Sequence, residues 1–236
     1  MGPNGRVIAV TGASGGVGAT VVAAAAALGM AGRGEATVLV DLDTAAPGVE
    51  ILLGIEEARG VRWPELSTAR GEVDGDALAA ALPSWRGVPV VSGRRRSGPP
   101  SEDVVLDVCA GIVRSGRTVV LDLPRPSSWT GPVRALLQGC DVAVLVTPLT
   151  FPGAAGAELV RDQLVAAGAR DVRVVVRGPA PGQVDPDALG AALGLSVDGV
   201  LERDRSLPGA VERGDGLPTG RRNAVARLAA DLGAAL

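Results

Sequence analysis

The residues best placed to do chemistry form one short run, Thr11-Gly12-Ala13-Ser14-Gly15-Gly16-Val17-Gly18-Ala19-Thr20. An apolar stretch, Arg6 to Val10, precedes it, and a helix-like one, Thr20 to Ala31, follows. A strand, a glycine turn and a helix start make an anion site, because free N–H groups point outward and the helix dipole favours negative charge. Glycine lets the backbone approach a phosphate closely. Gly12, Ser14, Gly15, Gly16, Val17, Gly18, Ala19 and Thr20, with Asp41 from the next strand's end, are the expected nucleotide contacts, and the Thr20 hydroxyl is available for magnesium. A lysine just before that Ser/Thr would reach the β- and γ-phosphates. Here the position is Ala19, so the cradle stands without its cation.

Acids recur where such a loop needs them. Val38-Leu39-Val40-Asp41-Leu42-Asp43 ends a strand-like run with two carboxylates two residues apart, hence on one side of a strand. Thr118-Val119-Val120-Leu121-Asp122 places a further acid at a strand's carboxyl end, suited to holding a magnesium-bound water. Glu202-Arg203-Asp204 precedes a helix after the last strand-like run. A lone strand-end acid often just caps a loop; the order and spacing of the set argue for architecture.

Composition removes several alternatives. The chain has no lysine, histidine or tyrosine, so all 23 basic residues are arginine. That excludes the commonest general base and metal ligand, Schiff-base chemistry and phenolic acid catalysis. The net charge of −3 and 2% aromatic content argue against non-specific nucleic-acid binding and base stacking. Cys109 and Cys140 sit in apolar contexts without metal-ligand spacing and read as buried thiols in a reducing compartment. No apolar run is long enough to span a bilayer.

The elements that must position these groups alternate. Valine-rich strands are expected near 6–11, 37–41, 88–92, 117–122, 141–147, 171–177 and 196–201. Helices are expected near 19–31, 48–54, 74–82, 101–115, 130–138, 153–168, 185–194, 206–213 and 219–235. The pattern predicts an α/β fold: a mostly parallel central sheet of about seven strands with helices on both faces. Residues 1–5 read as a flexible start, or as a piece beginning inside a longer protein, and residues 6–236 as one domain. Ser101 is the expected N-cap of its helix, with Glu102 and Asp103 in the first turn. Glu56 to Asp74 reads as an ordered excursion on the sheet's rim, and Arg94-Arg95-Arg96 as a loop. Trp63, Trp85 and Trp129 fall in connections, as core anchors or as a partner surface.

These residues resemble the deviant-Walker P-loop ATPases of the MinD/ParA class, whose loop reads K-G-G-x-G-K-[ST]. Ser14 stands at the signature lysine, Ala19 at the usual Walker lysine and Thr20 at the magnesium hydroxyl; Asp43 matches the switch acid that orients water, and Asp122 the Walker B acid. Within the class the chain is similar to the CpaE/TadZ branch, in particular the actinobacterial septum-site-determining (Ssd) proteins. The phrases carrying that likeness are Arg62-Trp63-Pro64-Glu65-Leu66, Val73-Asp74-Gly75-Asp76-Ala77-Leu78, Val176-Arg177-Gly178-Pro179-Ala180-Pro181 and Leu217-Pro218-Thr219-Gly220-Arg221. Longer relatives carry a receiver-like domain ahead of the ATPase-like part, which is expected to be absent here. The resemblance implies a homodimer that positions a Tad-type pilus or secretion machine, or the division site, in partnership with a secretion ATPase or division components. It also implies a cytoplasmic protein, peripheral at the inner face of the membrane or at a cell pole. ATP with magnesium is the implied ligand, held weakly or not at all, with negligible hydrolysis; Arg125, or an arginine from a dimer partner, is a substitute cation. Left open are an active ATP-dependent switch and a loop that merely closes a strand–helix junction. Thr11-Gly12-x-x-x-Gly16-x-Gly18 also fits a dinucleotide loop with Asp41 as its ribose acid. Without the Tyr and Lys of a short-chain dehydrogenase, that reading reduces to a catalytically silent NAD-binding module.

Overall fold

The computed structural model describes residues 5–44, 48–94, 99–218, 220 and 223–236. Its strands are β1 (Val7–Gly12), β2 (Thr37–Asp41), β3 (Ser84–Trp85), β4 (Val88–Val91), β5 (Thr118–Asp122), β6 (Val142–Pro148), β7 (Val172–Gly178) and β8 (Val197–Glu202). The helices are α1 (Ala19–Gly32), α2 (Val49–Leu53), α3 (Gly75–Ala81), α4 (Glu102–Arg114), α5 (Gly131–Gln138), α6 (Phe151–Ala166), α7 (Pro186–Leu193), α8 (Leu207–Glu212) and α9 (Ala224–Ala235).

The strands form one sheet in the order β3-β4-β2-β5-β1-β6-β7-β8. Every pairing is parallel except β3 with β4, so the expected seven strands gain an eighth, a two-residue antiparallel edge. Alternation along each strand feeds two cores. Ala9, Val38, Val40, Val119 and Leu121 face the side covered by α3 to α7. Ile8, Val10, Leu39, Val120 and Val144 face the side holding α1 and α9. β1 contributes to both cores, Ala9 to one and Ile8 and Val10 to the other, which explains why its residues read as a continuous apolar run.

Strand order also decides between the two glycine-loop readings. In a dinucleotide-binding sheet the first and second strands are neighbours. Here β5 lies between β1 and β2, with Val7↔Val119 on one side and Val38↔Val119 on the other. The NAD-binding alternative is thereby set aside.

Helix α1 is apolar nearly all round, and the packing uses that. One side lies on the sheet and the other is covered by α9, where a Cβ at Gly29 would overlap the Ala229 carbonyl oxygen. Asn223 caps α9 by accepting the Ala226 N–H at 2.8 Å, so this helix starts later than 219; Thr219, Arg221 and Arg222 lie outside the described residues.

Ser101 occupies the N-cap position of α4 but its side chain does not cap; its hydroxyl takes a hydrogen bond from Arg70 at 3.1 Å instead. The excursion from Glu56 to Asp74 is anchored at its middle. Trp63 is 1% exposed, and its indole N–H donates to the Asp41 carbonyl at 2.8 Å. Arg62 is buried too, donating to Ile55 O at 2.7 Å and Ser92 Oγ at 2.5 Å. Of the expected arginine loop, Arg94 pairs with Glu65 at 2.9 Å; Arg95 and Arg96 lie outside the described residues. So do residues 1–4 of the expected flexible start, whereas the Gly5 N–H donates to Val113 O at 2.9 Å. The three tryptophans are all buried, which makes them core anchors and not a partner surface. Cys109 and Cys140 are free, buried thiols, pushed up by burial to about 12 and about 11, so neither is an activated nucleophile.

Candidate functional site

The loop between β1 and α1 sits at the carboxyl end of the sheet's central strand. Gly16 and Gly18 take φ of +71° and +99°, values that L side chains rarely adopt, and a Cβ at Gly18 would also press on Leu201. The Ala13 N–H donates to Val146 O at 2.8 Å, fastening the loop's entry to β6. No side chain caps the N-terminus of α1, so its first N–H groups remain available to an anion.

A cavity of about 440 Å³ opens over this loop. Gly12, Ser14, Gly15, Gly16, Val17, Gly18, Ala19 and Thr20 line it, and Asp43, Asp122, Arg125 and Arg177 close its sides. Such a volume suits a small-molecule ligand. Asp41 does not line it. At 2% exposure it lies one layer below, accepting N–H groups of Asp43 at 2.9 Å and Val49 at 3.1 Å. Its part in the site is to hold the ends of the segment that runs from Asp43 to α2. That position was hidden in the sequence because a strand-end acid looks the same whether it faces ligand or its own loop.

Three carboxylates converge with little to neutralise them. Asp41 and Asp122 are register partners at the ends of β2 and β5. Burial pushes Asp41 up from 3.8 to about 6; the N–H groups of Val49 and Asp43 oppose the rise, and Glu50 and Asp43 add to it. Asp122 is raised well above its ordinary value, by burial first and then by Asp41, while the facing Thr20 hydroxyl lowers it. Asp43 is raised by burial and held back by the guanidinium of Arg125.

This donor set fits magnesium. A hydroxyl and a carboxylate are hard oxygen ligands, and a dication would offset the charge that burial makes costly at Asp122. Among the described residues no group of three or more His, Cys, Asp or Glu forms a metal site by itself. Thr20 and Asp122 would hold the ion, with water and phosphate oxygens completing its shell, as magnesium ordinarily requires. Bound there, the ion would neutralise phosphate charge. Asp43, opening on the cavity, is placed to accept a hydrogen bond from water.

Two arginines reach the loop. The Arg125 guanidinium passes over Gly15, its Nη1 3.7 Å from where that residue's Cβ would be. Its turn is pinned by Thr11 Oγ1 and Trp129 Nε1, which donate to Pro124 O at 3.0 and 2.9 Å. Arg177, at the end of β7, donates from Nη1 to Gly16 O at 2.6 Å. Sequence reasoning had only Arg125; Arg177 is 161 positions from Gly16, and the one available signal was its place at a strand end.

No protein-family model matches the sequence. An uncharacterized protein of Mycobacterium tuberculosis, present in two strains, is 38% identical over 230 residues, 95% of this chain. The chain spans 62% of that relative's length. Solved structures align along nearly the whole chain. The MinC:MinD cell division protein complex of Aquifex aeolicus gives a TM-score of 0.76 at 17% identity, covering 98% of this chain and 95% of that one. A ParA family ATPase from Chlorobium tepidum gives 0.77 at 14%, covering 98% and 99%. The fold is that of the MinD and ParA ATPases. The septum site-determining protein MinD of Pyrococcus horikoshii, solved with Mg-ADP, gives 0.73 at 17% identity, covering 97% and 94%. In this MinD/ParA fold the loop before α1 and the ends of β2 and β5 share one edge of the sheet. No helix among the described residues is long and apolar enough to cross a membrane.

Proposed function

We propose that the protein is a MinD/ParA-like positioning scaffold whose nucleotide switch has been weakened at its source. The observation that carries this is Ala19, lining the cavity where a phosphate-binding lysine would stand, beside a Thr20 hydroxyl that faces Asp122 and suits magnesium. Losing one charged hydrogen bond removes about 1.5–3 kcal/mol of binding, about one to two decades of affinity. Backbone N–H groups and magnesium still support weak ATP binding. Turnover suffers more, because transferring phosphoryl charge relies on positioned cations. The task we infer is that of the CpaE/TadZ branch, which the sequence resembles: Tad-type pilus or secretion assembly, or division-site placement. The MinC complex of the Aquifex neighbour and the Mg-ADP of the Pyrococcus one support a partner-binding, nucleotide-linked role.

The working unit in this proposal is a homodimer paired through the loop edge. Phe151, the chain's single phenylalanine, is 85% exposed at the start of α6, on the same edge. Gly156 of that helix lies against the Ala13 carbonyl of the loop. Asp41 is buried and cannot contribute to that edge, whereas Asp43 opens on the cavity there.

Calorimetric titration with ATP and ADP, with and without magnesium, tests the ligand; phosphate release tests turnover. Weak magnesium-dependent ATP binding with background hydrolysis is expected. Robust, Asp43-dependent hydrolysis would overturn the scaffold reading in favour of an active switch.

A further inference from the structure

The chain contains no lysine, yet its phosphate-type cavity is not without cations. Arg125 arrives from the turn after β5 and Arg177 from the end of β7, on opposite sides of the same seven-residue stretch, Gly12 to Gly18. Arg125 lies over Gly15, while Arg177 Nη1 bonds Gly16 O and stands 3.9 Å from the position of a Gly18 Cβ. Among the described residues Arg125 makes no hydrogen bond or ion pair that would hold it elsewhere, and Arg177 bonds only the loop carbonyl. A guanidinium carries five N–H donors in a planar fork. One donor of Arg177 is used on Gly16, which leaves the rest of the fork at the cavity wall.

We infer that Arg125 and Arg177 together stand in part for the missing lysine, making this an arginine-clamped site for a diphosphate or triphosphate chain. The inference rests on the nucleotide reading above and adds which residues supply the charge. The distinction from a lysine is physical. A lysine on the loop moves with the loop and presents a point charge, whereas two arginines from separate strand ends clamp the phosphates from outside with bidentate geometry. Arg125 also faces Asp43, so its charge is shared between the acid and the incoming anion. A phosphate chain drawing Arg125 towards it would loosen Asp43. The anion and the segment after β2 are thereby coupled through one side chain.

The test is titration of the full chain with Mg-ATP, Mg-ADP and inorganic pyrophosphate, comparing wild type with Arg125→Gln, Arg177→Gln, the double variant and Arg203→Gln as an arginine outside the cavity. Thermal melts without ligand establish that each variant is folded, and Arg177→Lys serves as a second probe that keeps the charge but not the fork. Each glutamine variant should weaken the phosphate ligands roughly tenfold or more, the double variant further, and Arg203→Gln should not. Unchanged nucleotide affinity in folded Arg125→Gln and Arg177→Gln would overturn the clamp and leave the nucleotide reading standing. Arginine-dependent pyrophosphate binding without ATP or ADP binding would support the clamp and remove the nucleotide reading. A wild-type chain that binds none of the three ligands overturns both.

Discussion

Asp41→Asn isolates the cost of the buried acids. In the folded chain Asp41 is raised from 3.8 to about 6, burial being the main cause. At about 1.4 kcal/mol per tenfold, its charge above pH 6 costs the fold about 3 kcal/mol. A raised folded-state value means that the native chain takes up its proton before the unfolded chain does. Stability therefore rises as pH falls through 6, and the gain is complete below 3.8. Between pH 8 and pH 5 Asp41 alone contributes a gain of about 1.4 kcal/mol. Asp122 and Asp43, both raised, act in the same direction. Glu65 and Asp204, both lowered, act oppositely, but only at more acidic pH. Asparagine removes the charge and keeps the shape. It can accept only one of the two N–H groups, from Asp43 or Val49, that Asp41 now satisfies. Losing that bond costs about 1–3 kcal/mol. At pH 8 the relief equals or exceeds the loss, so the variant is as stable as the wild type or up to about 2 kcal/mol more stable; at pH 5, where the wild type has itself recovered about 1.4 kcal/mol, the balance moves against the variant by that amount. Urea unfolding at both pH values measures this. A wild type no more stable at pH 5 than at pH 8, or a variant with the same pH dependence as wild type, would refute the reasoning.

Ala19→Lys should strengthen Mg-ATP binding by about one to two decades without raising phosphate release, since Ser14 still stands at the second lysine position; calorimetry and a hydrolysis assay read the two effects separately. Gly29→Ala forces α9 off α1 and should cost about 1–3 kcal/mol, seen as a lower urea midpoint. Trp63→Phe removes the hydrogen bond to Asp41 O and part of a buried ring, and should destabilise by about 1–3 kcal/mol, read the same way. Light scattering over a range of concentrations, with and without Mg-ATP, should show a nucleotide-independent dimer that Phe151→Ser weakens; a strict monomer in both conditions, with partners present, would remove the paired unit.

The central strands were legible because burial on both faces leaves a run such as Val142 to Val146 no choice but apolar residues. β3 was not: two residues are too few for any period to register. Arg62 shows a different limit. An arginine in a charged, proline-containing stretch reads as solvated, yet here its guanidinium satisfies the carbonyls of Ile55, Glu56 and Ala58 from inside. At the site, loop and acids were visible as local motifs. Asp41's descent below the cavity and Arg177's reach into it depend on which strands become neighbours, which spacing alone does not encode.

The partnership of α1 with α9 also sets a timetable. Gly29 meets Ala229, so an alanine-rich helix formed early in synthesis waits about 200 residues for its cover. At 5–20 residues per second that is about 10–40 s. β1 waits as well, because both its neighbours, β5 and β6, come more than a hundred residues later. Throughout that interval the nascent chain presents a sticky, unpartnered helix and an unpaired strand side by side. Its dependence on chaperones should therefore peak before α9 leaves the ribosome, and any product that stops short of Ala224 should aggregate instead of folding.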